Sequence, residues 1–176
     1  MTLLLTPVRS DAGPQLVDPA RRGRVYAIPV PTTLLLRDAL SRVDWSDAYA
    51  VLIPAGAPGH HPQEWADAVF AQPPPWIRAL FGLREVVVRA VGIEPGSAQA
   101  FATRSWRPDE VLLGTDQEHL SFRASVLVSH DRVVVSTIVQ LNNRRGRAYS
   151  ALVRRLHPWV VRSMLARAAR ELAVAS

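Results

Sequence analysis

The chain has 176 residues, of which 48% are apolar and 20% are charged, and this length suits a single domain with its own hydrophobic core. It contains no cysteine, which excludes a thiol nucleophile, a disulfide framework and any metal site built on cysteine. The formal net charge is +6, yet all 21 basic residues are arginines spread along the chain, so we expect a solvated surface and no nucleic-acid partner.

The first 24 residues have no sustained periodicity and predict a mobile N-terminal tail, followed by a single domain over 25–176. The apolar start, Met1 to Leu5, is too short for a signal sequence. No stretch of the chain approaches the roughly 18 apolar residues that a membrane span needs. We therefore expect a cytoplasmic protein without a membrane span.

Elements of both types are predicted in the first half of the chain. A short apolar run over 26–30 precedes a helical turn that Thr32 or Thr33 can cap. The residues 47–53 are typical of a strand, which the proline and glycine residues of 54–59 terminate. Two helices are then predicted, over 63–72 and 76–91.

The second half predicts four strands and a long helix. The strands are expected over 98–106, 110–114, 120–128 and 132–142, and the last two form an antiparallel hairpin around His130 and Asp131. An amphipathic helix is expected over 148–174, with Pro158 either kinking it or dividing it. Its predicted apolar stripe consists of Tyr149, Leu152, Val153, Leu156, Val160, Met164, Ala168 and Leu172.

This order of elements predicts an α+β fold rather than an alternating α/β fold. We expect about five strands in a curved antiparallel sheet that packs on the long C-terminal helix, with two helices after the first strand. Burying both apolar faces in this way leaves any unfilled space between sheet and helix as a pocket.

Several short segments of this chain occur together in a known family. They are Asp116 to Arg123, Val139 to Asn143, Gly146 to Tyr149, Leu156 to Pro158, Asp44 to Asp47 with Tyr49, and Pro74 to Trp76 leading to Leu83 and Arg84. In these segments the chain resembles a bacterial family of domains of unknown function, which is similar to the START-like, polyketide-cyclase-like helix-grip (SRPBCC) superfamily. The resemblance covers about residues 28–172 and implies a hydrophobic cavity between sheet and helix, without implying a reaction.

Candidate site residues fall into three groups. On a strand, His119 and Arg123 would share one face, where they form a general base and an anion anchor or sit in solvent. Asn142, Arg147 and Tyr149 close one end of a pocket or organise the start of the helix. His157 lies beside the apolar stripe, as a pocket residue or a hydrogen-bonded packing residue.

No motif of the common enzyme classes occurs, so the sequence leaves open whether the protein is an enzyme. His60 and His61 lack a converging set of ligands, and we expect no metal and no cofactor. The favoured hypothesis is binding of a small hydrophobic or amphipathic molecule. The alternatives are a cyclase, dehydratase or hydrolase that uses a pocket histidine and arginine, and an interaction module that docks or forms a homodimer through Trp45, Trp106 or Trp159.

Overall fold

A six-stranded antiparallel sheet organises the computed structural model, which describes residues 23–53, 59–71, 73–79 and 101–174. The spatial order of the strands is β1-β2-β6-β5-β4-β3. The strands are β1 (Tyr26–Ile28), β2 (Trp45–Leu52), β3 (Thr103–Arg107), β4 (Glu110–Asp116), β5 (Leu120–Val128) and β6 (Arg132–Leu141).

The helices are α1 (Leu34–Arg37), α2 (Pro62–Phe70), a helical segment α3 over 75–79, and α4 (Arg144–Val174). Local sequence explains where they begin. The hydroxyl of Thr33 accepts a hydrogen bond from the amide of Leu36, as predicted for a cap of α1. The α2 helix starts with Pro62, whose missing N–H is not needed in a first turn.

The β5–β6 hairpin is confirmed, with Val128 paired to Val133 and a two-residue turn at His130 and Asp131. The alternation of apolar and polar residues along β5 sets this register, because a shift by one residue would exchange the two faces of the strand. The β3–β4 hairpin around residues 108 and 109 is confirmed as well.

One face of the sheet packs against α2 and α4. Its contacts come from β-branched residues such as Val51, Val126 and Val135, which meet Met164 and Leu165 of α4. Full burial of each such side chain contributes roughly 1.5–3 kcal/mol to stability. This layer is the larger part of the core and positions α4 across β2 and β6.

The opposite face is also covered, by α1 and the segments around it. Leu36 packs on Leu112 and Ile138 of the sheet. Under this layer the carboxylate of Glu110, which is 2% exposed, accepts hydrogen bonds from Thr33 (2.9 Å) and Ser125. Residues 133–139 of β6 are consequently buried without interruption, on both faces.

The α4 helix differs from its prediction at two points. It begins at Arg144, four residues earlier than expected. At Pro158, where the sequence left a kink or a division open, the helix is not divided. The buried face includes Val161, Met164 and Ala168, whereas Leu152 and Leu156 of the predicted stripe are exposed. Because only one side of α4 packs on the sheet, some of the apolar residues of the helix remain exposed on its other side.

The α+β class and the sheet with a long C-terminal helix are confirmed. The sheet has six strands rather than about five, because the short run after Val25 pairs with β2 as an edge strand. The predicted tail except residues 23 and 24, the loop residues 54–58 and most of the helix expected over 76–91 lie outside the described residues. None of the helices within the described ranges combines the length and apolarity needed to cross a membrane.

Candidate functional site

Three polar or amphipathic side chains alternate along β2. Trp45, Asp47 and Tyr49 occupy every second position, so they project from the same face of the strand. Tyr49 belongs to the core layer that packs against α4, which places Asp47 and Trp45 on the helix-facing side of the sheet. A carboxylate is therefore held between the sheet and the long helix.

Asp47 is the centre of this cluster. Its Oδ2 atom lies 2.9 Å from Nδ1 of His157 on α4 and accepts a hydrogen bond from the hydroxyl of Tyr49 at 3.2 Å. The Asp47 and His157 side chains are 22% and 18% exposed. The second oxygen, Oδ1, is buried and receives no hydrogen bond. A buried acceptor without a donor is costly, by roughly 1–3 kcal/mol.

Trp45 extends the cluster toward the start of α4. Its indole N–H donates to the hydroxyl of Ser150 at 2.8 Å, and its ring meets the edge of the His157 ring at 5.2 Å. Ser150 and His157 are seven residues apart on the helix, which is about two turns and places them on the same face. Two turns of α4 are thereby tied to one strand.

The pKa of Tyr49 is raised to about 12, chiefly by burial and in addition by the negative charge of Asp47 and the hydrogen bond to it. The guanidinium of Arg162, 5.1 Å from the ring centre, acts in the opposite direction. A second guanidinium, that of Arg154, lies 5.8 Å from the Trp45 ring. The phenol is protonated at neutral pH and acts as a hydrogen-bond donor to Asp47.

The chemistry available here is that of an oriented imidazole. A carboxylate that accepts a hydrogen bond from Nδ1–H orients the imidazole of His157, and in the tautomer with the proton on Nδ1 the other nitrogen, Nε2, is an acceptor. Such a nitrogen can bind a donor group of a ligand or remove a proton from it. The unsatisfied Oδ1 of Asp47 provides a second acceptor close by.

Three of the predicted residues meet at another place, the junction between β5, β6 and α4. The rings of His119 and Tyr149 approach edge to face, with their centres 5.9 Å apart. The backbone N–H of Asn142 donates to the backbone carbonyl of His119 at 3.0 Å. His119 precedes β5 in a bend and is buried. It therefore lies just before the strand and not on it, as the prediction had placed it.

Contacts at the same junction explain why asparagine and glycine stand at the start of α4. Asn143 caps the helix, since its Oδ1 accepts from the amide of Gly146 at 2.9 Å. Gly146 has no positive φ. Glycine is required there by close approach, because a Cβ atom would lie 2.0 Å from the carbonyl oxygen of His119.

Arg123 lies on the sheet face that points away from α4. It is buried and forms a salt bridge with Asp116 at 2.9 Å. Burial raises the pKa of Asp116, but the hydrogen bonds and charges of Arg123, Ser121 and Arg104 outweigh this effect, so that the pKa is lowered. Arg123 is thus separated from His157 by the sheet and is paired within the sheet, not exposed to solvent.

Arg147 is exposed on the first turns of α4. Its charge contributes to the lowered pKa of Asp44, whose main cause is the hydrogen bond that Asp44 accepts from the amide of Leu141 at 2.6 Å. The structure therefore distributes the six predicted residues over four positions: His119 with Tyr149 and Asn142, Arg123 with Asp116, Arg147 near Asp44, and His157 with Asp47.

Sequence reasoning missed Asp47, Tyr49, Trp45 and Ser150 as members of a site. A signal for three of them exists, since an aromatic, an acidic and an aromatic residue alternate through β2 before its buried end. The partnership with His157 joins residues 110 positions apart and has no local signature.

His60 and His61 are the histidines that the sequence analysis considered as metal ligands. His60 lies 2.8 Å from Glu64 and close to the carbonyl of Leu172. Three or more histidine, aspartate or glutamate side chains that could hold an ion do not meet anywhere in the described ranges.

Fold and site together define an α+β domain in which a six-stranded antiparallel sheet and a long terminal helix enclose a histidine–carboxylate cluster. The chain belongs to the family described as protein of unknown function (DUF2867), whose match extends over residues 39–164. This range includes both members of the His157–Asp47 pair. No curated protein and no solved structure matches the chain, so the similarity to the START-like superfamily remains a sequence-based expectation.

Proposed function

We propose that the domain binds a small amphipathic molecule between β2 and α4, with its polar group at Asp47, Tyr49 and His157. The buried Oδ1 of Asp47, which receives no hydrogen bond, carries this proposal. A ligand hydroxyl or amine that donates to this oxygen would remove the cost of an unsatisfied buried acceptor. Binding sites of this kind need shape and a few polar anchors rather than a catalytic set.

The surroundings of the cluster support an apolar body for the ligand. Trp45 and Tyr49 flank Asp47 on the same strand face, and Val135 of β6 lies opposite Tyr49. The resemblance to helix-grip domains implies a cavity in this layer between sheet and terminal helix. The ligand class that fits both features has an apolar chain or ring and one hydrogen-bond donor.

Isothermal titration with alkyl alcohols and the methyl ethers of equal length tests this proposal. We expect the alcohols to bind more tightly by about tenfold, because one hydrogen bond to a carboxylate is worth about 1.5 kcal/mol or more. The preference should disappear in Asp47→Asn. Ser46→Ala is the matched control, since Ser46 is the exposed neighbour on the opposite face of β2. Equal affinity for alcohol and ether in the wild type would refute the proposal.

A second candidate function is favoured by the His157–Asp47 pair itself. An imidazole held by a carboxylate at Nδ1 is suited to proton transfer at Nε2. We propose as the alternative an acid–base enzyme of the cyclase, dehydratase or hydrolase kind with His157 as the base. Arg123 cannot orient an anion there because it lies on the other face of the sheet. The cations near the cluster are Arg162, over the Tyr49 ring, and Arg154, beside the Trp45 ring.

Turnover of a graded series of p-nitrophenyl esters distinguishes a hydrolase from a binding protein. For an enzyme we expect His157→Gln to lower kcat at least about a hundredfold, the usual contribution of a general base. Retention of alcohol binding in the same variant would separate the two roles. Turnover that is equal in wild type and variant would exclude His157 as the base.

A further inference from the structure

The outward side of α4 presents an apolar ridge that the sheet does not use. Leu152, Leu156 and Trp159 are 51%, 41% and 73% exposed. Their spacing of four and three residues places them on one face of the helix. This face is opposite the buried one that includes Val161, Met164 and Ala168. We refer to Leu152, Leu156 and Trp159 as the outer ridge.

Positive charge surrounds the outer ridge. The helix contains no acidic residue between Arg144 and Arg170, and the first one is Glu171. Arg155 is a neighbour of Leu152 and Trp159 by helical spacing. Arg162 follows Trp159 by one turn, but its guanidinium turns toward the sheet and lies over the Tyr49 ring. The arginines of this stretch are Arg144, Arg145, Arg147, Arg154, Arg155, Arg162, Arg167 and Arg170.

The positive charge of α4 restricts which kind of partner can cover the outer ridge. A second copy of the chain would bring two arginine-rich helices together around the ridge, and like charges brought together at an interface cost several kcal/mol. A partner must therefore be anionic where it meets the arginines and apolar where it meets the tryptophan and the leucines. This argues against the homodimer that the exposed tryptophans first suggested, at least through α4.

The shape favours a flat partner over a helical one. The apolar residues form a convex line along the back of a single helix, whereas an amphipathic helix docks in a groove. A helix with leucine and tryptophan on one line and arginines beside it lies in the interface of a bilayer, with the apolar side chains among the acyl chains and the cations at the phosphates. Tryptophan is favoured at this depth.

We propose that the outer ridge docks the domain on an anionic lipid surface. Arg155 approaches the lipid phosphates while Trp159 enters the headgroup boundary. The His157–Asp47 cluster, on the other side of α4, stays turned toward the sheet. This inference is independent of the proposed ligand site and rests on the exposure and charge of α4 alone.

Co-sedimentation of the full chain with vesicles tests the proposal. We expect binding to phosphatidylcholine vesicles that contain phosphatidylglycerol, weak binding to phosphatidylcholine alone, and a steep loss of binding as salt is added. Trp159→Ala should weaken binding by about tenfold or more, because a large apolar surface leaves the interface. Trp106→Ala is the matched control, as Trp106 is 67% exposed on β3, away from α4.

Several results of the vesicle experiment would contradict the proposal. Equal binding to both vesicle types, no binding at low salt, or equal loss in the Trp106 and Trp159 variants would each overturn the proposal. Failure to bind vesicles together with Trp159-dependent binding of a soluble acidic helical peptide would assign the ridge to a protein partner instead. Thermal unfolding of both variants should match the wild type, since neither side chain is buried.

Discussion

The Nδ1 atom of His157 lies 2.9 Å from a carboxylate oxygen of Asp47, and this contact connects α4 to β2 across 110 residues of sequence. Trp45 strengthens the same connection through its hydrogen bond to Ser150. The helix is thus held to the sheet at its polar end by directional bonds and further along by apolar packing. The position of the imidazole follows from both.

Energetic coupling between Asp47 and His157 is the first prediction. A double-mutant cycle with Asp47→Asn and His157→Gln should give a coupling free energy of about 1–2 kcal/mol in urea unfolding, as for hydrogen bonds that involve a charged group. The pair His60 and Glu64 provides the control, because Glu64 is mostly exposed and such pairs contribute about 0.3–0.5 kcal/mol. Coupling no larger than in this control pair would contradict the interpretation.

The phenol of Tyr49 is predicted to lose its proton at a higher pH than an ordinary tyrosine. Its pKa is about 12 in the folded state, against an ordinary value of 10.0. A raised pKa stabilises the folded state below pH 10, and this contribution is lost as the pH rises from 10 to 12. Absorbance titration of the three tyrosines should show a late component that Tyr49→Phe removes and Tyr26→Phe retains. A late component that survives Tyr49→Phe would assign it to another residue.

Gly146 is predicted to be intolerant of any side chain. In Gly146→Ala the added Cβ would lie 2.0 Å from the carbonyl oxygen of His119, so backbone must move at the junction of β5 and α4. We expect a loss of about 3 kcal/mol in the free energy of unfolding. Gly59→Ala, where a Cβ would meet nothing within 4 Å, should change it by less than about 0.5 kcal/mol. Similar losses at both glycines would show that the junction can adapt.

Glu110 is predicted to hold α1 to the sheet. Glu110→Ala leaves the hydroxyls of Thr33 and Ser125 without their acceptor under a closed layer, at a cost of about 3 kcal/mol. Glu110→Gln keeps a carbonyl acceptor and should cost less than half of that. Asp109→Ala, in the exposed neighbouring turn, should hardly change the free energy of unfolding. Chemical unfolding of the three variants measures these differences. Equal effects of the alanine and glutamine variants would rule out the hydrogen bonds as the cause.

Local patterns predicted most of the elements. The alternation in β5, the run of valines in β6 and the turn at His130 and Asp131 are all short-range signals, and the hairpin follows from them. The edge strand β1 was missed because three residues before a proline carry no periodicity. The buried state of Arg123 was missed for a different reason: the covering layer around Leu36 comes from a distant part of the chain.

The candidate site was less predictable than the fold. His157 was among the candidates, but its partner Asp47 was assigned to the start of a strand without a role. Which of two apolar lines on a helix is buried depends on where the sheet meets it, and this explains the error at Leu152 and Leu156. The need for glycine at position 146 could not be predicted either, because it arises from contact with His119, which is a tertiary one.

The central position of β6 has a kinetic consequence. Its pairing with β5 closes across two residues, whereas its pairing with β2 joins Leu52 to Arg132, about 80 residues away. Closing a long loop costs conformational entropy before the stabilising contacts between its ends can form. We therefore expect the hairpin to form early in folding and β2 to dock at or after the rate-limiting step. In φ-value analysis, Val126→Ala should then slow folding, and Val51→Ala should chiefly accelerate unfolding. The reverse assignment would place the nucleus at the β2–β6 pairing.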